Sequence, residues 1–228
     1  MTKMINRIKA IKVLWYNKPS IEKTFMLTAA FSVFLLAVRM IVTGSLMFGF
    51  LPWNLLLAYV PYAITKRLAR EKEEKMHPLK FILMFVLWLL FLPNSFYIIT
   101  DLFHLDQEKA PPWFNLVLIF SFAWNGLLLG ILSLRQMEVL IEPYISIRWR
   151  WIFLYVVMAL NALGIYIGRY LRFNSWDVIA NPFQLAGDII YLGMHPVRNM
   201  DDWGMIICFT VLMLLVYRGI ERISGNSQ

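Results

Sequence analysis

The chain has 228 residues, of which 60% are hydrophobic and only 16% charged, with a net charge of +8 and a single cysteine. A soluble domain is roughly 45–50% apolar and about 25% charged, so this composition excludes a soluble fold and a disulfide scaffold. In an apolar chain the positive balance reports orientation and contact with anionic lipid rather than nucleic acid.

Residues 1–18 are predicted to form an amphipathic interfacial helix, with Met4, Ile8, Ile11 and Trp15 on one face and Lys3, Arg7, Lys9 and Lys12 supplying cations. Six apolar runs follow, at about 24–43, 46–65, 79–99, 113–134, 150–168 and 204–221. A helix needs about 20 apolar residues to cross a hydrocarbon core, and spans in lipid must satisfy their backbone internally. The expectation is an all-α polytopic bundle of about six transmembrane helices over 24–221, preceded by the interfacial region 1–23 and followed by a short tail, 222–228. The run 24–43 has no cleavage-type site behind it and is read as a retained span. Pro52, Pro61 and Pro93 mark kinks. Cys208 lies in an apolar run and is read as packing.

Connections 1–23, 66–80, 135–149 and the end from Arg218 carry sixteen Lys and Arg, seventeen with Arg150, against four in 100–112 and 169–203. The positive-inside rule then places both termini in the cytoplasm. Every aspartate falls on the outer side, with His104 and His195. In the long outer connection Asn181-Pro182 is a helix start, with Asn181 as N-cap and the helix ending near Gly193. It is too short to span and is expected to lie at the outer face as a lid.

Polar groups within spans are costly and face the bundle interior. Arg39, Asn54, Asn94 and Asn161 lie in the outer halves of their spans and Asn125 lies near the middle of its own, which predicts a polar cavity open to the outer face above an apolar floor. Interhelical asparagine bonds are the competing explanation. Arg39 needs an anionic partner, and Asp101 is the expected one.

Asp101 and His104, three residues apart in "FLPNSFYIITDLFHL", share a face if the helix continues past Thr100. That pair suits an acid–base role, two ligands of a divalent metal with His195 as a third, or a structural hydrogen bond. In "GRYLRFNSWD", Arg169 and Arg172 have the spacing of a fork for phosphate or carboxylate, with Asn174 and Asp177 following. Snorkelling to head groups is the alternative for the two arginines. No serine-hydrolase elbow, zinc-protease motif or phosphate loop is present in the sequence.

"WNLLLAYVPY", "LPNSFYIITDLFHL" and "GRYLRFNSWD", with "HP" at 195–196, resemble the bacterial integral-membrane family catalogued as domain of unknown function 1361. The resemblance implies a multi-pass protein of the bacterial cytoplasmic membrane, and no catalytic residue to carry over. The combined expectation is a hydrolase or transferase acting on an anionic lipid or cell-envelope substrate. Asp101 and His104 would do the chemistry, Arg169 and Arg172 hold the anion, Arg39 and Asn94 position Asp101, and Asn161 and Asn174 line the cavity. A small-solute or ion transporter, or an accessory subunit of a membrane complex, is the alternative.

Overall fold

The computed structural model describes residues 19–71, 77–105, 109–173 and 177–225. The expected interfacial helix over 1–18, and Asn174, lie outside the described residues. All regular structure among the described residues is helical: α1 (Pro19–Thr43), α2 (Leu51–Glu71), α3 (Pro78–Tyr97), α4 (Pro112–Ile141), α5 (Ile147–Arg169), α6 (Asp177–Ala180), α7 (Pro182–Met194) and α8 (Met200–Gly225). A 3-10 segment, Ile98–His104, extends α3.

Five helical segments are long and apolar enough to cross a membrane: Glu22–Thr43, Pro78–His104, Pro112–Ile141, Ile147–Arg169 and Met200–Ile223. The protein is therefore a polytopic helical membrane protein. Their outer faces are as apolar as their inner ones, with Leu27, Phe34, Ile41, Val86 and Leu215 exposed, as helices surrounded by hydrocarbon require. The expected span at 46–65 corresponds to α2, which is not among the five. Pro52, Asn54 and Pro61, together with Lys66, Arg67, Arg70 and Glu71 at its end, dilute its apolar content. Yet α2 is central to the bundle, and its contacts with α3 and α4 are the most extensive of any helix pair. It buries Leu51, Leu55, Ala58, Tyr62, Thr65 and Leu68, a stripe with the helical repeat.

Four glycines set the position of α3. Gly126 and Gly130 on α4, and Gly164 and Gly168 on α5, are each four residues apart. A Cβ at Gly130 would lie 2.6 Å from the Phe96 ring, and one at Gly164 would lie 2.5 Å from Cγ of Pro93. Small residues at that spacing let helix backbones approach closely in lipid. The segment of α3 that carries Pro93, Ser95 and Tyr97 is thus clamped from both sides. Ser95 Oγ also donates to the Ala58 carbonyl of α2 at 3.0 Å.

The end of the bundle opposite Asp101 holds polar groups too, which corrects the expectation that such groups gather in one half. Trp88 Nε1 donates to Ser133 Oγ at 2.7 Å, Thr65 Oγ1 donates to Gln136 Oε1 at 2.7 Å, and the Tyr217 hydroxyl donates to Glu138. All three bonds join different helices. Asn125 does the same nearer the middle, accepting from Thr28 at 2.6 Å and donating to Ser32 at 3.2 Å. These are the interhelical bonds that the competing reading of the asparagines foresaw.

Candidate functional site

Pro93 cannot donate to the helix ladder, and four residues beyond it the α-helix gives way to the 3-10 segment. In a 3-10 helix residues i and i+3 eclipse, so Asp101 and His104 stand one above the other. Asp101 is 1% exposed, and a carboxylate so placed needs compensation for lost hydration. It has two partners. Asn54 Nδ2 of α2 donates to Oδ2 at 3.1 Å, and Arg169 of α5 forms an ion pair with Oδ1 at 3.5 Å.

Arg169 is the hub of the group. It donates to the Thr100 carbonyl, and one of its terminal nitrogens lies 3.4 Å from the Tyr97 hydroxyl. The other lies 3.3 Å from His104 Nδ1, and the guanidinium sits over the Tyr97 and Phe103 rings at 5.6 and 5.3 Å. His104 Nδ1 also lies 3.3 Å from the main-chain carbonyl of Asp101. The imidazole therefore meets Asp101 through its backbone and not through its carboxylate. Its ring packs on Phe50 at 5.9 Å.

These two contacts require opposite proton positions. Bonding to the Asp101 carbonyl needs a proton on Nδ1 and leaves a lone pair on Nε2. Accepting from Arg169 needs a bare Nδ1 and leaves the proton on Nε2. No protein partner holds Nε2 among the described residues.

Asn54, Asp101, His104, Arg169, Asn94 and Tyr97 all line one cavity of about 610 Å³, and its other walls are mostly apolar, from Leu57 and Leu89 to Leu163 and Ile167. Asn94 contributes to the wall while its amide donates to the Phe91 carbonyl at 3.0 Å. From α7, Leu185 closes part of the wall. That helix starts at the Asn181-Pro182 pair, although the Asn181 side chain makes no capping hydrogen bond.

The other expected residues lie elsewhere. Arg39 is buried on α1, where Nε donates to Asn115 Oδ1 at 2.9 Å and the guanidinium stacks on Phe48 at 4.3 Å. It is not the partner of Asp101. Asn161 donates to Met213 Sδ at 3.4 Å and so ties α5 to α8 rather than lining the cavity. Arg172 lies past the end of α5 with φ +60°, exposed, so no helical face aligns it with Arg169. Asp177 opens α6 and is not part of the cavity wall. His195, beyond the end of α7, packs at a tilt on Tyr191 with ring centroids 4.5 Å apart, and among the described residues no three metal-ligand side chains gather. Tyr97 is a site residue that the sequence did not single out, and Asn54, one of the expected outer-half polar residues, is the unforeseen partner of Asp101.

A family model described as a protein of unknown function, DUF1361, matches residues 53–216. The chain belongs to that family. The DUF1361 match begins at Trp53, so it takes in Asn54, Asp101, His104 and Arg169 and leaves α1 with Arg39 outside. No curated protein and no solved structure matches the chain.

Proposed function

We propose that the cavity is a site on the outer face of the membrane where His104 exchanges a proton with the polar group of a cell-envelope substrate, in a hydrolase or transferase reaction. The observation that carries this reading is the imidazole itself. Its Nδ1 lies between a donor, Arg169, and an acceptor, the Asp101 carbonyl, each at 3.3 Å. Nε2 can therefore serve as acid or as base, and an acid–base group must do both in turn. In this reading Asp101, Asn54 and Arg169 are positioning residues. The excess of Lys and Arg in the connections at the opposite end supports an outward-facing site with both termini inside.

An arginine fork for an anion is not part of the proposal. Arg169 is occupied by Thr100 and Asp101, and Arg172 does not reach the cavity wall. Nor does a polar path favour transport, because the walls away from the Asp101 end are apolar. Purified protein in liposomes made from total envelope lipids tests the reading, with head-group changes followed by mass spectrometry. Turnover should vanish in His104→Ala and persist in Arg172→Ala. Identical lipid profiles with wild-type protein and with empty liposomes would sink it.

A further inference from the structure

The cavity is a groove on the side of the bundle. From α3 it takes Val86, Leu89, Leu90, Pro93, Asn94 and Tyr97, the spacing of a single helical face. Trp53 and Leu57 of α2 form one bank, and Leu160, Leu163 and Gly164 of α5 form the other. Trp53, Val86 and Leu160 are 52%, 54% and 42% exposed, so the groove opens sideways toward the hydrocarbon as well as at its polar end. At 1.5 Å per residue, the stretch from Val86 to Tyr97 is roughly 16 Å long. That is about half of a hydrocarbon core of about 30 Å, the depth of one leaflet.

Polarity changes once along this length. Val86, Leu89 and Leu90 are apolar, whereas Asn94, Tyr97, Asp101 and His104 carry the hydrogen-bonding groups. Gly164 and Gly168 also belong to the wall, where they hold α5 close against Pro93 and Tyr97 of α3. A water-soluble substrate would gain nothing from an apolar trough that opens into lipid. A bilayer lipid matches both parts: its chain exchanges other lipid tails for equally apolar side chains, and its head group lies at the leaflet surface.

We infer that the groove takes one hydrocarbon chain of a bilayer lipid, which enters sideways between α2 and α5 and lies along α3 with its polar head at His104. The inference rests on the proposed site for the position of the head. It makes the substrate a lipid of the leaflet on the Asp101 side and excludes a soluble solute.

Phosphatidylglycerol with a diazirine in mid-chain, incorporated into nanodiscs of dioleoyl phosphatidylcholine with the full chain, tests the inference. After irradiation, peptides covering 86–90 and 160–163 should carry at least five times the label of the α1 face at Leu27 and Ile41, which are 73% and 82% exposed. Leu160→Trp and Val86→Trp, both at exposed positions, should each reduce groove labelling about fivefold and leave the melting temperature unchanged. Labelling no stronger in the groove than on α1 overturns the inference. Head-group turnover that His104→Ala abolishes and Leu160→Trp leaves intact also overturns it, while the site at His104 stands.

Discussion

Arg169, at the last turn of α5, reaches Asp101 in the 3-10 segment beyond α3 with 3.5 Å between Nη1 and Oδ1. The two partners are unequal in burial, 15% exposed for the arginine side chain and 1% for the aspartate. Removing Arg169 leaves a buried carboxylate with Asn54 alone, whereas removing the charge of Asp101 leaves an arginine that can turn toward water. Arg169→Leu should therefore cost about 3 kcal/mol, and Asp101→Asn about 1 kcal/mol. The double variant should cost less than the sum, with a coupling of about 1–2 kcal/mol. Denaturant unfolding in mild detergent measures all three, and equal costs for the two single variants would contradict the burial argument.

Arg172 adopts φ +60° where the chain turns back after α5, and the Phe173 amide donates to the Ile167 carbonyl at 3.2 Å. An L-residue with a side chain pays roughly 1–2 kcal/mol in this region. Glycine avoids that cost but loses about 0.5–1 kcal/mol through the greater freedom of the unfolded chain. Arg172→Gly should be neutral or stabilising by up to about 1 kcal/mol, while Arg172→Val, branched at Cβ, should destabilise by at least about 1 kcal/mol. Thermal melts of the two variants separate this turn role from the anion-holding role that the sequence spacing suggested.

The glycine pairs make a graded prediction. A Cβ at Gly164 meets the Pro93 ring at 2.5 Å, and one at Gly126 meets the Ser95 carbonyl at 2.7 Å; neither neighbour can yield. Alanine at either position should cost about 2 kcal/mol. Gly168→Ala, with the Tyr97 ring at 3.2 Å, should cost less. Gly204 lies in α8 with nothing within 4 Å of its notional Cβ, so Gly204→Ala should stabilise by up to about 1 kcal/mol. A flat response across the four variants would remove the clamp around α3.

Depth was legible in the sequence and azimuth was not. The apolar runs, the helix start at Pro182 and the presence of Asp101, His104 and Arg169 at one end of the bundle all follow from counting along the chain. Which way a side chain points around its helix does not, because these helices are apolar on every face and no hydrophobic stripe marks the interior. Asn161 and Asn54 sit at similar depths in the sequence reading, yet Asn54 meets Asp101 while Asn161 meets Met213. Depth alone likewise pairs Arg39 with Asp101, whereas its side chain meets Asn115. The glycine spacing at 126 and 130 and at 164 and 168 was readable, but only the fold shows that both pairs clamp the same helix. Buried polar groups in the other half escape the count for two reasons: tyrosine, tryptophan, serine and threonine pass as ordinary residues of a span, and Gln136 and Glu138 lie beyond 134, the expected end of a helix that runs to Ile141.

Arg39 on α1 is 1% exposed. Its Nε is bonded to Asn115 and its charge faces the Phe48 ring, but both terminal nitrogens are buried without a hydrogen-bond partner among the described residues. With two terminal nitrogens, four N–H groups in all, unpartnered among the described residues, the guanidinium is a cost to the fold, since an unsatisfied buried donor forfeits about 1–3 kcal/mol of hydration. Methionine has a similar length and no donors, and replacement of buried charges by packed apolar groups is often neutral or stabilising by about 1–4 kcal/mol. Arg39→Met should therefore raise stability, by about 2 kcal/mol. Asn115→Leu should do the opposite in the wild-type background, because it strips Nε of its acceptor. Made on top of Arg39→Met, Asn115→Leu should cost distinctly less. Destabilisation by Arg39→Met would mean that the charge has a counter-ion outside the described residues, and chloride titration of the melting temperature would then tell a mobile one from a fixed one.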